Sequence, residues 1–243
     1  HRLPDRCRER TKREEFCLEI FSDHALFILL AAGTVLAFCW LCLLRDRLKI
    51  KWYAAALISI LHTLYGVLTV KVFAFMETGF SAGNLDNMSL FGGIFFMPLA
   101  YWIGARMFKR SCADVFDIFT VCMIATVMCA RVNCILTGCC QGNLIPGLDG
   151  VRWPTRELEI AFYIVLIIVL GRIILAGEIH GEAYPIYMTA YGIFRFIIEG
   201  FRYSESGMLI HLGHVWALLS MIIGFSIYTE LRKQSRKNGG RKR

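Results

Sequence analysis

Seven apolar runs, each close to or beyond the length of a membrane crossing, take up most of the chain and leave mainly short connections between them. A helix needs about 20 apolar residues to cross a hydrocarbon core roughly 30 Å thick. The runs fall near residues 25–44, 52–76, 88–106, 114–137, 158–176, 183–199 and 212–230. With 243 residues in all, 56% of them apolar and 19% charged, the chain is too apolar for an ordinary soluble fold and leaves no room for a separate soluble domain. The expected class is all-α, a polytopic membrane protein of about seven transmembrane helices. Residues 1–22 form a polar N-terminal segment, 23–231 the transmembrane domain and 232–243 a basic tail.

The formal charge of +8 raises the question of nucleic acid. The cations cluster at the chain ends and in short loops instead of interleaving with aromatics, so membrane orientation explains them better and no nucleic-acid partner is expected. Arg45, Arg47, Lys49 and Lys51, then Arg106, Lys109 and Arg110, then seven cations from Arg232 to Arg243 all fall on one side of a seven-helix chain. By the positive-inside rule that side is cytoplasmic. The opposite loop, residues 77–87, carries no Lys or Arg, whereas six cations before Glu14 run against the rule. The stretch HRLPDRCRERTKREE lacks the layout of a signal peptide, so the first helix is expected to be retained. The expected location is the cell membrane, multi-pass, with the C-terminus cytoplasmic.

Ionisable groups inside apolar runs cost a few kcal/mol or more each, and they usually face the protein interior and mark a site. Lys71, Arg131, Glu159, Arg195 and Glu199 are such groups. Lys71, near a helix end, reads equally as snorkelling to the interface. In YGIFRFIIEGFR the residues Arg195, Glu199 and Arg202 stand at i, i+4 and i+7, one face of a helix. Two readings follow. Arg195 and Glu199 form an ion pair that holds helices together, or Glu199 orients Arg195 so that its guanidinium grips a phosphate with two parallel donors.

The densest irregular segment is ARVNCILTGCCQGN, where Gly138 and Gly142 flank a cysteine pair and allow close approach of backbone to a ligand or partner. Cys139 and Cys140 are sequence neighbours, unsuited to a metal pair or an unstrained disulfide with each other, and no metal site is expected. Joined by Cys134 they make a thiol site only as a minor reading. The cysteines are taken mostly as small buried hydrophobes, and with no Cys-x-x-Cys among Cys134, Cys139 and Cys140 a thiol oxidoreductase is discouraged. Gly92 and Gly93 read either as small-residue helix packing or as a point of lipid-headgroup approach. His24, His62 and His214 lie in or beside apolar runs and each alone reads as a structural residue.

Taken together, Arg131 with GCCQG, then RWPTRELE, then YGIFRFIIEGFR, then GHVWAL resemble, in order, the signatures of the prolipoprotein diacylglyceryl transferase family. The resemblance spans roughly residues 20–230 and is strongest from Ser89 to Arg202. It implies a seven-helix membrane enzyme that moves a diacylglyceryl group from phosphatidylglycerol to the thiol of a lipobox cysteine in a precursor protein and releases glycerol phosphate. It implies no metal or nucleotide cofactor. On it, Arg131 resembles the family's phosphatidylglycerol-binding arginine, Arg195 and Glu199 its paired residues in the penultimate helix, and Glu159 its acid after a Pro-Ser-Gln-type motif. It also makes Gly92, Gly93, Gly138, Gly142, Tyr191, Arg202 and His214 candidates for substrate binding. The chain departs from the pattern at Phe91, where the family often has His or Tyr, near His24 and Ala25, where a tyrosine is expected, in its cysteine-rich GCCQG, and in a short arm from Gly142 to Arg152. The rival to catalysis is a non-catalytic or differently targeted membrane protein that binds anionic phospholipid headgroups.

Overall fold

The computed structural model describes residues 5–80, 88–148, 150–202 and 212–240, and within these leaves out the side chains of 5–23, Arg236 and 238–240. The chain forms α1 (Asp5–Leu43), a short α2 (Arg45–Leu48), α3 (Trp52–Glu77), α4 (Phe91–Met107), α5 (Cys112–Leu136), α6 (Thr155–Ala176), α7 (Ala183–Glu199) and α8 (Leu212–Gly240). Among the described residues there are no strands, only two isolated antiparallel bridges. Five helices are long and apolar enough to cross a membrane, His24–Leu43 of α1, α3, α5, α6 and Leu212–Ser235 of α8. Of the remaining three, α4 and α7 have 17 residues each, the short end of the range that crosses, and α2 has only four. The protein is thus an all-α polytopic membrane protein.

The inner helices α3 to α7 begin and end within about three residues of the sequence expectation. The outer two do not. Helix α1 starts at Asp5 instead of near residue 25, because Arg, Glu and Lys sustain a helix as well as apolar residues do once a buried span has nucleated it. The expected polar N-terminal segment is therefore mostly helical backbone, and residues 1–4 lie outside the described set. Most of the cation-free loop, 81–87, and the tail end, 241–243, lie outside it as well.

Two sets of contacts mark the two ends of the bundle. At the end that carries the basic loops, the fully buried Asp117 of α5 accepts the backbone N–H of Gly181 at 2.8 Å and of Ala183 at 3.0 Å. It so caps the start of α7, where free N–H groups and the positive pole of the helix favour a carboxylate. Arg47 pairs with Asp114, lies 3.7 Å from Asp117 and donates to the Ile174 carbonyl at 3.2 Å, joining α2, α5 and α6. Ser111 caps α5 by accepting the N–H of Asp114 at 3.3 Å. At the opposite end, the 138–154 connection is held to the end of α7, with Asn143 N–H donating to the Phe201 carbonyl at 2.8 Å and a bridge between Gly142 and Arg202.

Small residues set close helix contacts. A Cβ at Gly192 would lie 2.6 Å from the Ala217 carbonyl oxygen, and one at Gly224 would lie 2.7 Å from Met188 Cβ, so α7 and α8 touch backbone to backbone. Inside α4, Pro98 has no N–H to give, which leaves the carbonyl of Ile94 without its helical donor. The hydroxyl of Tyr184 on α7 donates to that carbonyl at 2.6 Å, so the break in one helix becomes a tie to another. The core between them is aromatic, with Tyr163, Tyr187 and Tyr191 fully buried.

Asp117→Asn keeps an acceptor but loses the charge that two N–H groups and Arg47 share. We expect it to cost about 1–3 kcal/mol, seen as a lower thermal midpoint of the detergent-solubilised protein. An unchanged midpoint would remove Asp117 from the role of anchor.

Candidate functional site

Near the end opposite the basic loops, charges from three helices and a turn form one chain. Glu159 of α6, 4% exposed, receives Arg195 of α7 on one carboxylate oxygen and the Nε of Arg131 of α5 at 2.9 Å on the other. Arg195, 5% exposed, uses its second terminal nitrogen to reach Glu199 at 2.7 Å, and Glu199 in turn meets Arg202 at 3.5 Å. Three guanidiniums against two carboxylates leave the cluster with one net positive charge. A surrounding of low dielectric makes that charge seek an anion.

The sequence placed Arg195, Glu199 and Arg202 on one helical face, and here the structure differs. Helix α7 ends at Glu199. Arg202 follows in a turn whose N–H donates to the Glu199 carbonyl at 3.2 Å, and the pairing of that turn with Gly142 and Asn143 carries its side chain back to Glu199. Lys71, by contrast, faces outward from α3, as snorkelling requires.

Of the remaining candidates, Tyr191 belongs to the cluster's wall. It is fully buried, stacks on Tyr163 at a ring separation of 6.4 Å, and its hydroxyl, like those of Tyr163 and Tyr187, has no hydrogen-bond partner among the described residues. The phenols of Tyr163 and Tyr191 are donors next to an excess positive charge, suited to an anionic ligand. Phe91 is buried edge-on against Tyr191 at 6.0 Å. Gly142 lies against Trp153, where a Cβ would be 2.3 Å from the carbonyl oxygen. Gly138, at φ +69°, turns the chain out of α5. Gly92 packs on α3, where a Cβ would lie 2.1 Å from the Thr69 carbonyl oxygen, and its neighbour Gly93 also faces α3. His214 is buried edge-on to Phe196 at 5.2 Å.

Tyr163 escaped the sequence reading because an aromatic in an apolar run carries no signal of its own. Gly213 escaped it too. A Cβ there would lie 2.7 Å from a carboxylate oxygen of Glu199, so α8 leaves room for the acid through this glycine. His62, read as structural, is buried and hydrogen-bonded to the Tyr101 hydroxyl at 2.9 Å. An apolar groove of about 520 Å³ between α4, α5, α7 and α8, lined by Phe95, Pro98, Phe116, Tyr184 and Ile223 among others, is not bordered by any of the arginines.

The cysteines are less buried than the sequence suggested. Cys122 and Cys129 are buried, but Cys39 on α1 and Cys139 in the loop after α5 are exposed, and Cys42, Cys112, Cys134 and Cys140 are intermediate. The chain also contains a Cys-x-x-Cys away from the loop, Cys39 and Cys42, within the span of α1. Cys134, at the end of α5, meets Cys139 and Cys140 with all three sulfurs within 4.8 Å of one another. Arg131 Nη1 lies 3.9 Å from the sulfur of Cys134 and 4.0 Å from that of Cys140. The Cys140 thiol is held below the usual thiol range, first by the hydrogen bond from Cys134 and then by Arg202 and Arg131, with burial opposing.

The profile of the prolipoprotein diacylglyceryl transferase family matches residues 23–229. The chain belongs to this family. Among named relatives, it is similar to the phosphatidylglycerol–prolipoprotein diacylglyceryl transferase of Chlorobaculum tepidum, 26% identical over 149 residues. The matched region covers 57% of this chain and 50% of that relative, so the chain spans about half the length of the curated relative it matches. Family membership and the apolar helices together make it a multi-pass bacterial membrane protein. In this member of the diacylglyceryl transferase family, the Arg131–Glu159–Arg195 core is what a substitution should disturb most. Glu159→Gln leaves two buried guanidiniums short of a counter-charge, with an expected loss of about 3–5 kcal/mol in detergent unfolding. A loss no larger than that of a surface carboxylate variant would show that Glu159 holds neither arginine in place.

Proposed function

We propose that this protein transfers a diacylglyceryl group from phosphatidylglycerol to the thiol of a lipobox cysteine in a precursor protein. The observation that carries the reading is the net positive, three-arginine chain built around buried Glu159 in a member of this family. In the reaction a carbon–sulfur bond forms at the glycerol carbon as its bond to the phosphate oxygen breaks, and glycerol phosphate leaves with the electron pair. Arg131 and Arg195 hold the phosphate, whose leaving charge they stabilise. Glu159 and Glu199 fix the arginines, with Arg202 at the outer end of the chain. Tyr163 and Tyr191 offer phenolic donors to the headgroup. Substrate glycines, among them Gly138 and Gly142, shape the loop above it.

The assay is incubation of the purified protein with phosphatidylglycerol and a lipobox peptide, read as the mass gain of a diacylglyceryl thioether. Arg195→Lys should keep the fold and weaken phosphatidylglycerol binding about 10-fold or more, since a lysine cannot make the planar two-donor grip and a loss of 1.4 kcal/mol is already a factor of ten. Unchanged lipid binding would favour a purely structural pair with Glu199. A second reading, lipid binding without turnover, draws on Phe91, a side chain with no proton to exchange packed against Tyr191. On that reading wild type binds phosphatidylglycerol and forms no thioether. Phe91→His, run beside it, then shows whether a base alone restores the reaction.

The topology is part of the proposal. The basic segments 45–51, 106–110 and 232–243 support a cytoplasmic position for their end and the C-terminus, with the arginine chain toward the outer face. A single cysteine added to the tail of a cysteine-depleted variant should resist an impermeant thiol reagent in intact cells and react after permeabilisation. Labelling in intact cells would reverse the orientation.

A further inference from the structure

Three thiols stand beside the arginine chain, and the reading above gives them no task. Cys134 closes α5, Gly138 at φ +69° turns the chain, and Cys140 holds a left-handed φ of +57°, a conformation that a side-chain-bearing residue adopts at a cost. The effect of the two turns is convergence, with the three sulfurs within 4.8 Å of one another. The loop is held there from α6. Arg156 donates to the Cys134 carbonyl at 3.1 Å and Thr155 to that of Cys140 at 3.3 Å. A zinc–sulfur distance of about 2.3 Å sets sulfurs roughly 3.8 Å apart in a tetrahedral site, so a small inward shift suffices.

We propose that Cys134, Cys139 and Cys140 bind a zinc ion whose open fourth position takes the thiol of the acceptor cysteine. Three protein ligands with one vacancy is the arrangement of a catalytic zinc site, and thiolates select zinc over magnesium or calcium. The three thiolates and the ion together carry one negative charge, which Arg131, about 4 Å from two of the sulfurs, offsets. The exposed Cys139 leaves one side open to an incoming peptide.

This inference rests on the transferase reading and deepens it. The reaction needs a thiolate, and Phe91 supplies no base. A thiol that coordinates zinc gives its proton to solvent, since a coordinating thiol is deprotonated. The resulting sulfur attacks the glycerol carbon while the phosphate oxygen departs onto Arg131 and Arg195. The neutral thioether product is a weak ligand and leaves. No electron is gained or lost overall, and no other reactant is required.

The test uses the full chain in detergent under reductant, stripped with a chelator and titrated with Co²⁺, whose thiolate complexes absorb. One cobalt per chain with a sulfur-to-metal charge-transfer band and tetrahedral visible bands is expected. The spectrum should persist in Cys39→Ser and vanish in Cys134→Ser, Cys139→Ser and Cys140→Ser. A lipobox peptide should strengthen the charge-transfer band, and the same peptide with serine for cysteine should not. No band in wild type of native helicity, or a thiol titration that finds these cysteines joined as a disulfide, overturns the site. A band indifferent to the peptide overturns the role in acceptor activation. If the peptide-dependent band is present and no thioether forms with phosphatidylglycerol, the transferase reading fails and the metal site stands.

Discussion

A single carboxylate lodged between two guanidiniums is the interaction on which the half of this bundle opposite the basic loops depends. In water such a contact is worth little, because solvent screens it and competes for every donor. Inside a helix bundle surrounded by lipid both arginines depend on such partners, and Glu159 is the one they share, with Glu199 a second partner for Arg195. Glu159 therefore determines where α5 and α7 lie relative to α6 at that level. The aromatic layer beneath follows from it, with Tyr163 and Tyr191 stacked directly under the charges and Phe162 stacked on Phe194 at 4.2 Å.

The two ends of the bundle solve the same problem differently. At the basic-loop end Asp117 accepts two backbone N–H groups and lies beside Arg47, which also pairs with Asp114, so its charge is met by a helix N-terminus and a neighbouring guanidinium. At the other end the chain of charges has one guanidinium in excess and ends on Arg202, a quarter exposed in its side chain. An excess charge at the edge of a bundle is costly as structure alone. It is economical where an anionic headgroup arrives to share it.

The sequence was legible wherever one rule dominated. A hydrocarbon slab demands runs of about 20 apolar residues, so helix order and the ends of α3 to α7 could be read directly. Charges within such runs announced Arg131, Glu159, Arg195 and Glu199 before any geometry was known. What could not be read was pairing between helices. Nothing in the spacing of Arg131, Glu159 and Arg195 says that the acid sits between the two bases, and Gly213 gives no hint that its missing side chain makes room for Glu199. The cysteines show the limit most plainly. Along the chain Cys139 and Cys140 are neighbours that point apart, and only the left-handed backbone at Gly138 and Cys140 brings them round to Cys134.

The bridge between Gly142 and Arg202 ties these observations together mechanically. The loop that carries the thiols and the turn that carries the last arginine are one stapled piece of backbone, closed at 2.8 Å between Asn143 and Phe201. On the transferase reading, a peptide on the loop and a headgroup on Arg202 would bear on the same piece of backbone. Binding of either would then change the affinity for the other by the same factor, so the two would be coupled rather than independent.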